Sequence, residues 1–208
     1  MRRRMALGYS AAAITAISLT LFVGWWQVDG PGAPKPTTQR PLALSDMDFR
    51  LTDHDGIGVG PGTLVGRPSM VFFGFTHCPD VCPTTLADIS GWLDALQEDA
   101  RRLNVIFVTV DPERDTVDAM AEYLGNFHPI IRGWTGPAHQ IARAADDFRA
   151  KIEKISTVDG AYTMNHTASV FLFDATGSFV ITIDYHEPEE FAVPKLRRVL
   201  KTDTEQTT

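Results

Sequence analysis

Two cysteines, Cys78 and Cys82, are the whole thiol complement of the chain, and they stand four residues apart in Phe75-Thr-His-Cys78-Pro-Asp-Val-Cys82-Pro83. At that spacing both sulfurs can face one side of a helical turn. The first turn of a helix carries unpaired N–H groups and a partial positive charge, which stabilise a thiolate. A thiolate pair suits a soft d10 ion such as Cu(I), whereas Zn(II) usually takes four ligands in a closed site and would be underfurnished by two cysteines. Two other chemistries stay open for the same pair. One is a structural disulfide, although so small a loop removes little unfolded-state entropy. The other is thiol-disulfide exchange, although dithiol oxidoreductases usually carry Cys-x-x-Cys, one residue shorter.

Such a pair has to be held by its neighbours. Met70 to Phe75 is a continuous apolar run, the pattern of a strand buried on both faces. Beyond Pro83, which suits a first helical turn, Leu86, Ile89, Leu93, Leu96 and Ala100 recur at three- and four-residue steps, predicting a helix of about five turns. The cysteines therefore sit at a strand-to-helix junction. Val105 to Val110 reads as a second buried strand, with helices over Thr116 to Leu124 and Ala138 to Ala150. Ala168 to Phe173, the turn Asp174-Ala-Thr-Gly177 and Ser178 to Ile183 read as a hairpin. A closing helix over Glu189 to Lys201 contains Pro194, from which it would start if the proline blocks its first turns. Asp48 to Thr52 is expected as a short edge strand. A βαβ unit feeding a hairpin and a last helix predicts an α/β thioredoxin-like fold, with the reactive site where the first strand meets its helix.

The chain has 208 residues, of which 44% are hydrophobic and 22% charged, enough for one globular domain and a short extra segment. Beyond residue 40 there are 14 basic against 25 acidic residues, a net charge of −11. So acidic a body, without a basic stripe, argues against nucleic-acid binding and suits a cation or a basic protein partner. Residues 1–4 read as a cytoplasmic head and 5–28 as a transmembrane anchor: Arg2, Arg3 and Arg4 precede 24 uncharged positions that span roughly 36 Å as a helix. Trp25 and Trp26 close that segment as an interfacial belt would, which favours an uncleaved anchor over a signal peptide. The Pro/Gly-rich stretch 29–41 reads as an extended linker and 42–208 as the working domain. By the positive-inside rule that domain faces away from the cytoplasm. The short head leaves no room for an organellar transit peptide, so the expected location is a bacterial cytoplasmic membrane with the domain in the periplasm.

Thr76-His-Cys-Pro-Asp-Val-Cys-Pro83 resembles the thiol motif of the Sco/SenC family of copper chaperones. The resemblance continues through Val110-Asp-Pro-Glu-Arg-Asp-Thr116 and through Asn165-His166-Thr167 ahead of an apolar strand, and covers roughly residues 42–201. It implies a thioredoxin-like fold and metal ligands at Cys78, Cys82 and His166. Asn165 departs from the family pattern, in which an aspartate is common, and Pro194 interrupts the last helix; neither is a proposed ligand. One imidazole beside two thiolates suits both Cu(I) and Cu(II). His77 reads as an entry or partner contact, and His54, His128, His139 and His186 as surface residues. Asp111 reads as a cap for the turn at Pro112 or a further carboxylate near the metal, and Asp80 as an exposed helix cap. Trp92 and Phe148 read as core or partner surface.

The function that the resemblance implies is delivery of one copper ion to the CuA site of cytochrome c oxidase subunit II, or to another copper acceptor, with a periplasmic dithiol reductant keeping the cysteines reduced. The alternative is a membrane-anchored thiol-disulfide reductase with Cys78 as the attacking thiolate. Against it, residues 160–173 contain no proline where thioredoxin-like oxidoreductases usually have one.

Overall fold

The structure, a computed structural model, describes residues 18–26, 30, 41–158 and 160–205. The chain divides into two units, Met1–Arg40 and Pro41–Thr208. In the first unit residues 18–26 are helical and expose Leu19, Phe22, Trp25 and Trp26. The head, most of the anchor expected over 5–28 and nearly all of the linker lie outside the described residues. Among the described residues no helix is long and apolar enough to cross a membrane.

The second unit is an α/β domain of the thioredoxin-like kind. Its strands are β1 (Leu51–Asp53), β2 (Gly58–Val59), β3 (Ser69–Gly74), β4 (Asn104–Thr109), β5 (Ile131–Thr135), β6 (Ile152–Ser156), β7 (Tyr162–His166), β8 (Val170–Phe173) and β9 (Phe179–Ile183). The helices are α1 (Val81–Leu96), α2 (Val117–Leu124), α3 (Ala138–Asp147) and α4 (Glu189–Glu205). Seven strands form one sheet in the order β2-β1-β5-β4-β3-β8-β9, while β6 and β7 pair only with each other. The strands β3, β4 and β5 run parallel, and β8 returns antiparallel on the other edge of β3. Every residue of β3 is buried, as its unbroken apolar run requires.

Strand alternation sends Phe73 to one face, against Phe148 and Phe171, and Phe72 to the other, against Phe107. Trp92 and Phe148 are therefore core residues, not partner surface. Helix α1 buries Leu86, Ile89, Trp92, Leu93 and Leu96 and packs against α4. It ends at Leu96, shorter than expected, and a 3-10 helix over Gln97–Arg102 carries on to Ala100. The segment expected as an edge strand is β1, flanked on both sides, with the two-residue β2 as the edge. Helix α4 begins at Glu189, five residues before Pro194. The proline sits on its exposed side one turn in, where the backbone hydrogen bond it forgoes lies beside exposed residues. Ala192, Val193, Leu196, Val199 and Leu200 meanwhile pack into the core.

Gly74, the last residue of β3, makes room for the site. A Cβ there would stand 2.5 Å from Phe107 Cε2 and 3.0 Å from Cys82 Sγ. Gly74→Ala is expected to destabilise the domain by about 1–3 kcal/mol, the range for overpacking a well-filled core. Urea unfolding measures this, and a midpoint equal to that of the wild type would show that Phe107 and Cys82 yield freely.

Candidate metal centre

The loop from Phe75 to Asp80 joins the buried end of β3 to the N-terminus of α1. Asp80 takes the N-cap position, yet its side chain makes no capping hydrogen bond. The sulfur of Cys78 takes that part, accepting the Cys82 backbone N–H at 3.3 Å. One of the orphan donors of a helix start is thus satisfied by sulfur where a carboxylate would be usual. Asp80 is exposed as expected, but it is not the cap.

The two free thiols differ sharply. Cys78 is half-buried and Cys82 fully buried. The hydrogen bond from the Cys82 thiol holds the Cys78 pKa down at about 5, helped by the backbone N–H groups of Asp80 and Cys82 and opposed by burial. Cys82 moves the other way: its bond to Cys78 and its burial push its pKa well up. One sulfur is therefore a standing thiolate that solvent reaches, and the other a buried thiol that stabilises it.

His166 completes the group from the far end of β7. Its Nε2 lies 3.4 Å from Cys82 Sγ, and its Nδ1 lies 3.0 Å from the carbonyl oxygen of Thr167. A carbonyl only accepts, so Nδ1 carries the hydrogen, and Nε2 is the ring atom turned toward the sulfur. The ring is set edge-on to Phe72 and Phe75, with centroids 6.1 Å and 5.9 Å away. Cys78 and Cys82, at one strand-to-helix junction, are thus brought together with His166 from a strand far along the chain. Among the described residues no set of three or more His, Cys, Asp or Glu side chains stands ready as a formed metal cage. The donor set suits a soft ion: two sulfurs and one imidazole nitrogen on one face, with Cys78 open to solvent.

A residue with no assigned role in the sequence reading organises the loop. Asp115 is fully buried, and its carboxylate accepts the Thr76 backbone N–H at 3.0 Å, the Thr76 hydroxyl at 2.6 Å and the Thr109 hydroxyl at 2.6 Å. Its signal in the sequence is an acid six residues past a buried strand, inside the Val110–Thr116 motif. Asp111 accepts the Tyr162 hydroxyl at 2.9 Å and pairs with the Arg114 Nε; its side chain caps nothing, the Asp111 N–H being taken by the Thr109 hydroxyl.

His77 is exposed and turns its Nδ1 to the Thr76 hydroxyl at 2.9 Å, beside Asp115 at 3.8 Å. Of the expected surface histidines, His139 and His186 are exposed. His54 and His128 are partly buried: His54 Nδ1 accepts the Gly133 N–H, and His128 Nδ1 accepts the Ile130 N–H. Asn165 is exposed on the opposite face of β7 from His166.

Two measurements test this geometry. The rate of alkylation of the reduced protein by iodoacetamide follows the thiolate fraction, so it is expected to hold a plateau at neutral pH and to fall on acidification with a midpoint at about 5. A midpoint at pH 8–9, the ordinary thiol range, would overturn the stabilised thiolate. Asp115→Asn replaces a buried acceptor for three donors by a group that is itself half donor. It is expected to cost about 3 kcal/mol or more and to lower Tm by roughly 6–12 °C. An unshifted thermal transition would deny Asp115 its organising part.

Residues 37–201 match the SCO1/SenC family. The chain is 36% identical over 186 residues to a protein SCO2 homolog, mitochondrial, of Danio rerio, an alignment that covers 83% of this chain and 66%, just under two-thirds, of the relative's length. The solved structure of Bradyrhizobium japonicum ScoI with copper bound shares 44% identity with it at a TM-score of 0.68, over 73% of this chain and 96% of the other. Yeast Sco1 with copper bound shares 31% identity at a TM-score of 0.68, over 74% and 86%. Those residues, spanning the thiol loop, the Val110–Thr116 motif and the His166 strand, make the chain a member of the SCO1/SenC family.

Proposed function

We propose that this chain is a copper metallochaperone. Its ligands are Cys78, Cys82 and His166, and it passes one copper ion to the CuA site of cytochrome c oxidase subunit II during oxidase assembly. The observation that carries the reading is the convergence of the three side chains, with a Cys78 thiolate at neutral pH, a Cys82 sulfur beside it and the imidazole Nε2 of His166 3.4 Å from that sulfur. The solved relatives with copper bound, at 44% and 31% identity, support copper as the ion. Cys78 faces solvent while Cys82 is buried, so an incoming acceptor thiolate has access to one side of the site.

In this reading residues 5–28 anchor the chain in the bacterial cytoplasmic membrane, 29–41 form the linker, and the domain works in the periplasm. A periplasmic dithiol reductant returns Cys78 and Cys82 to the free thiols that bind metal.

The asymmetry of the two thiols favours a second reading, thiol-disulfide reduction of acceptor cysteines. The Cys78 thiolate would attack an acceptor disulfide and form a mixed disulfide. The Cys82 thiol, losing its proton, would then displace the acceptor, leaving Cys78–Cys82 oxidised and the acceptor a dithiol. His166 separates the two readings. The reduced protein is expected to bind one Cu(I) under anaerobic conditions, and His166→Ala to lose that stoichiometric binding against a competing chelator while its dithiol still reduces a test disulfide. Full copper binding in His166→Ala would remove His166 from the ligand set. No copper in either protein, with an active dithiol, would replace the chaperone by the reductase.

A further inference from the structure

The strand that carries His166 belongs to a two-stranded sheet that is not hydrogen-bonded to the main one. Backbone pairing therefore fixes the histidine within its hairpin and leaves the seat of the hairpin over the thiol loop to side chains. Those side chains lie on one face. In β7, Tyr162 and His166 point the same way by strand alternation, roughly 13 Å apart along the strand. Lys154, paired with Met164, shares that face. All of it rests on the loop between β4 and α2. The Tyr162 hydroxyl donates to Asp111 at 2.9 Å, and Lys154 Nζ donates to Glu113 at 2.7 Å. The Arg114 guanidinium lies 4.0 Å from the Tyr162 ring centroid and 5.9 Å from that of Phe75, the ring against which His166 is set. Arg114 also pairs with Asp111 through Nε and reaches the Tyr162 carbonyl through Nη1 at 3.4 Å. Its Nη2 is buried with no hydrogen-bond partner among the described residues. The guanidinium thus keeps its place between two rings while one donor goes unused, which marks its position as set by the rings as much as by hydrogen bonding.

The same short loop holds the other half of the site, since Asp115 fastens Thr76, two residues before Cys78. Asp111 and Arg114 grip the histidine hairpin, and Asp115 grips the thiol loop. We propose that Arg114 and Tyr162 are positioning residues for His166, clamping its hairpin to the β4–α2 loop and so setting the separation of imidazole and thiolates. Neither residue touches the metal. The inference deepens the copper reading and rests on it for its consequence, while the clamp itself is a property of the protein without metal. It also gives the Val110–Thr116 motif a role: one loop indexes both halves of a site whose donors come from separate segments. Outer partners that orient metal ligands typically change affinity by about 10- to 100-fold when removed.

The test compares the full chain in detergent, reduced and anaerobic, as wild type, Tyr162→Phe and Arg114→Met. Without copper, amide hydrogen exchange over 162–166 is expected to speed up by roughly tenfold in both variants, with β3 and β4 amides unchanged. With copper, Cu(I) affinity by competition with bicinchoninate is expected to fall about 10- to 100-fold. Electron paramagnetic resonance of the Cu(II) form is expected to lose imidazole nitrogen coupling, and the alkylation profile of Cys78 to stay in place. Unchanged hairpin exchange and affinity would overturn the clamp. So would exchange accelerated equally throughout the sheet, because that is general destabilisation. A wild type that binds no copper would sink the proposed function and leave the exchange measurement to decide the clamp.

Discussion

The carboxylate of Asp115 is buried among three donors, and the arrangement of the site depends on it. Removing a charge from water costs several kcal/mol unless hydrogen bonds replace its hydration. Here two of the donors come from Thr76, at the exit of β3, and the third from Thr109, at the end of β4. Gly74 and Thr109 are paired in the parallel register of those strands, so the bonds span the crevice at their carboxyl ends. A loop that would otherwise choose among many conformations is tied two residues before Cys78. The same charge adds to the forces that keep Cys82 protonated, after its bond to Cys78 and its burial.

From that anchor follows the unequal character of the two thiols. Only three residues separate them, but the chain crosses from loop to helix between them. Cys78 stays at the surface, where backbone N–H groups of the helix start point at its sulfur, while Cys82 is carried beneath, against Gly74 and Phe107. An isolated thiol buried like Cys82 would lose the charge needed to bind a metal. Beside a standing thiolate, its proton is the one that an arriving cation would displace.

The histidine arrives by a different route. It is delivered by a hairpin outside the main sheet and held by an aromatic and ionic contact surface centred on Arg114, Tyr162 and Phe75. A site built this way can hold its donors close without enclosing them.

Much of this was legible in the residues. The unbroken apolar run of β3, the three- and four-residue steps of α1 and the Asp174–Gly177 hairpin turn each repeat with the period of one element, and local periodicity suffices to name them. The strand β5 and the hairpin β6–β7 escaped notice. Ile131 to Thr135 is short and interrupted by Arg132 and Gly133, and β6 is largely exposed with no hydrophobic face to betray it. Pro194 looked prohibitive because propensity is counted locally, whereas the buried face of α4 is settled by packing. The sequence by itself determined the chemistry available: two thiols at a strand-to-helix junction and a histidine ahead of a buried strand. Only the tertiary structure decided which sulfur is the thiolate, that the imidazole 84 positions along the chain stands 3.4 Å from the other, and that Asp115 and Arg114 hold the two halves together. The reason is physical: pKa values and donor separations depend on burial and on neighbours distant in sequence, and a local pattern encodes neither.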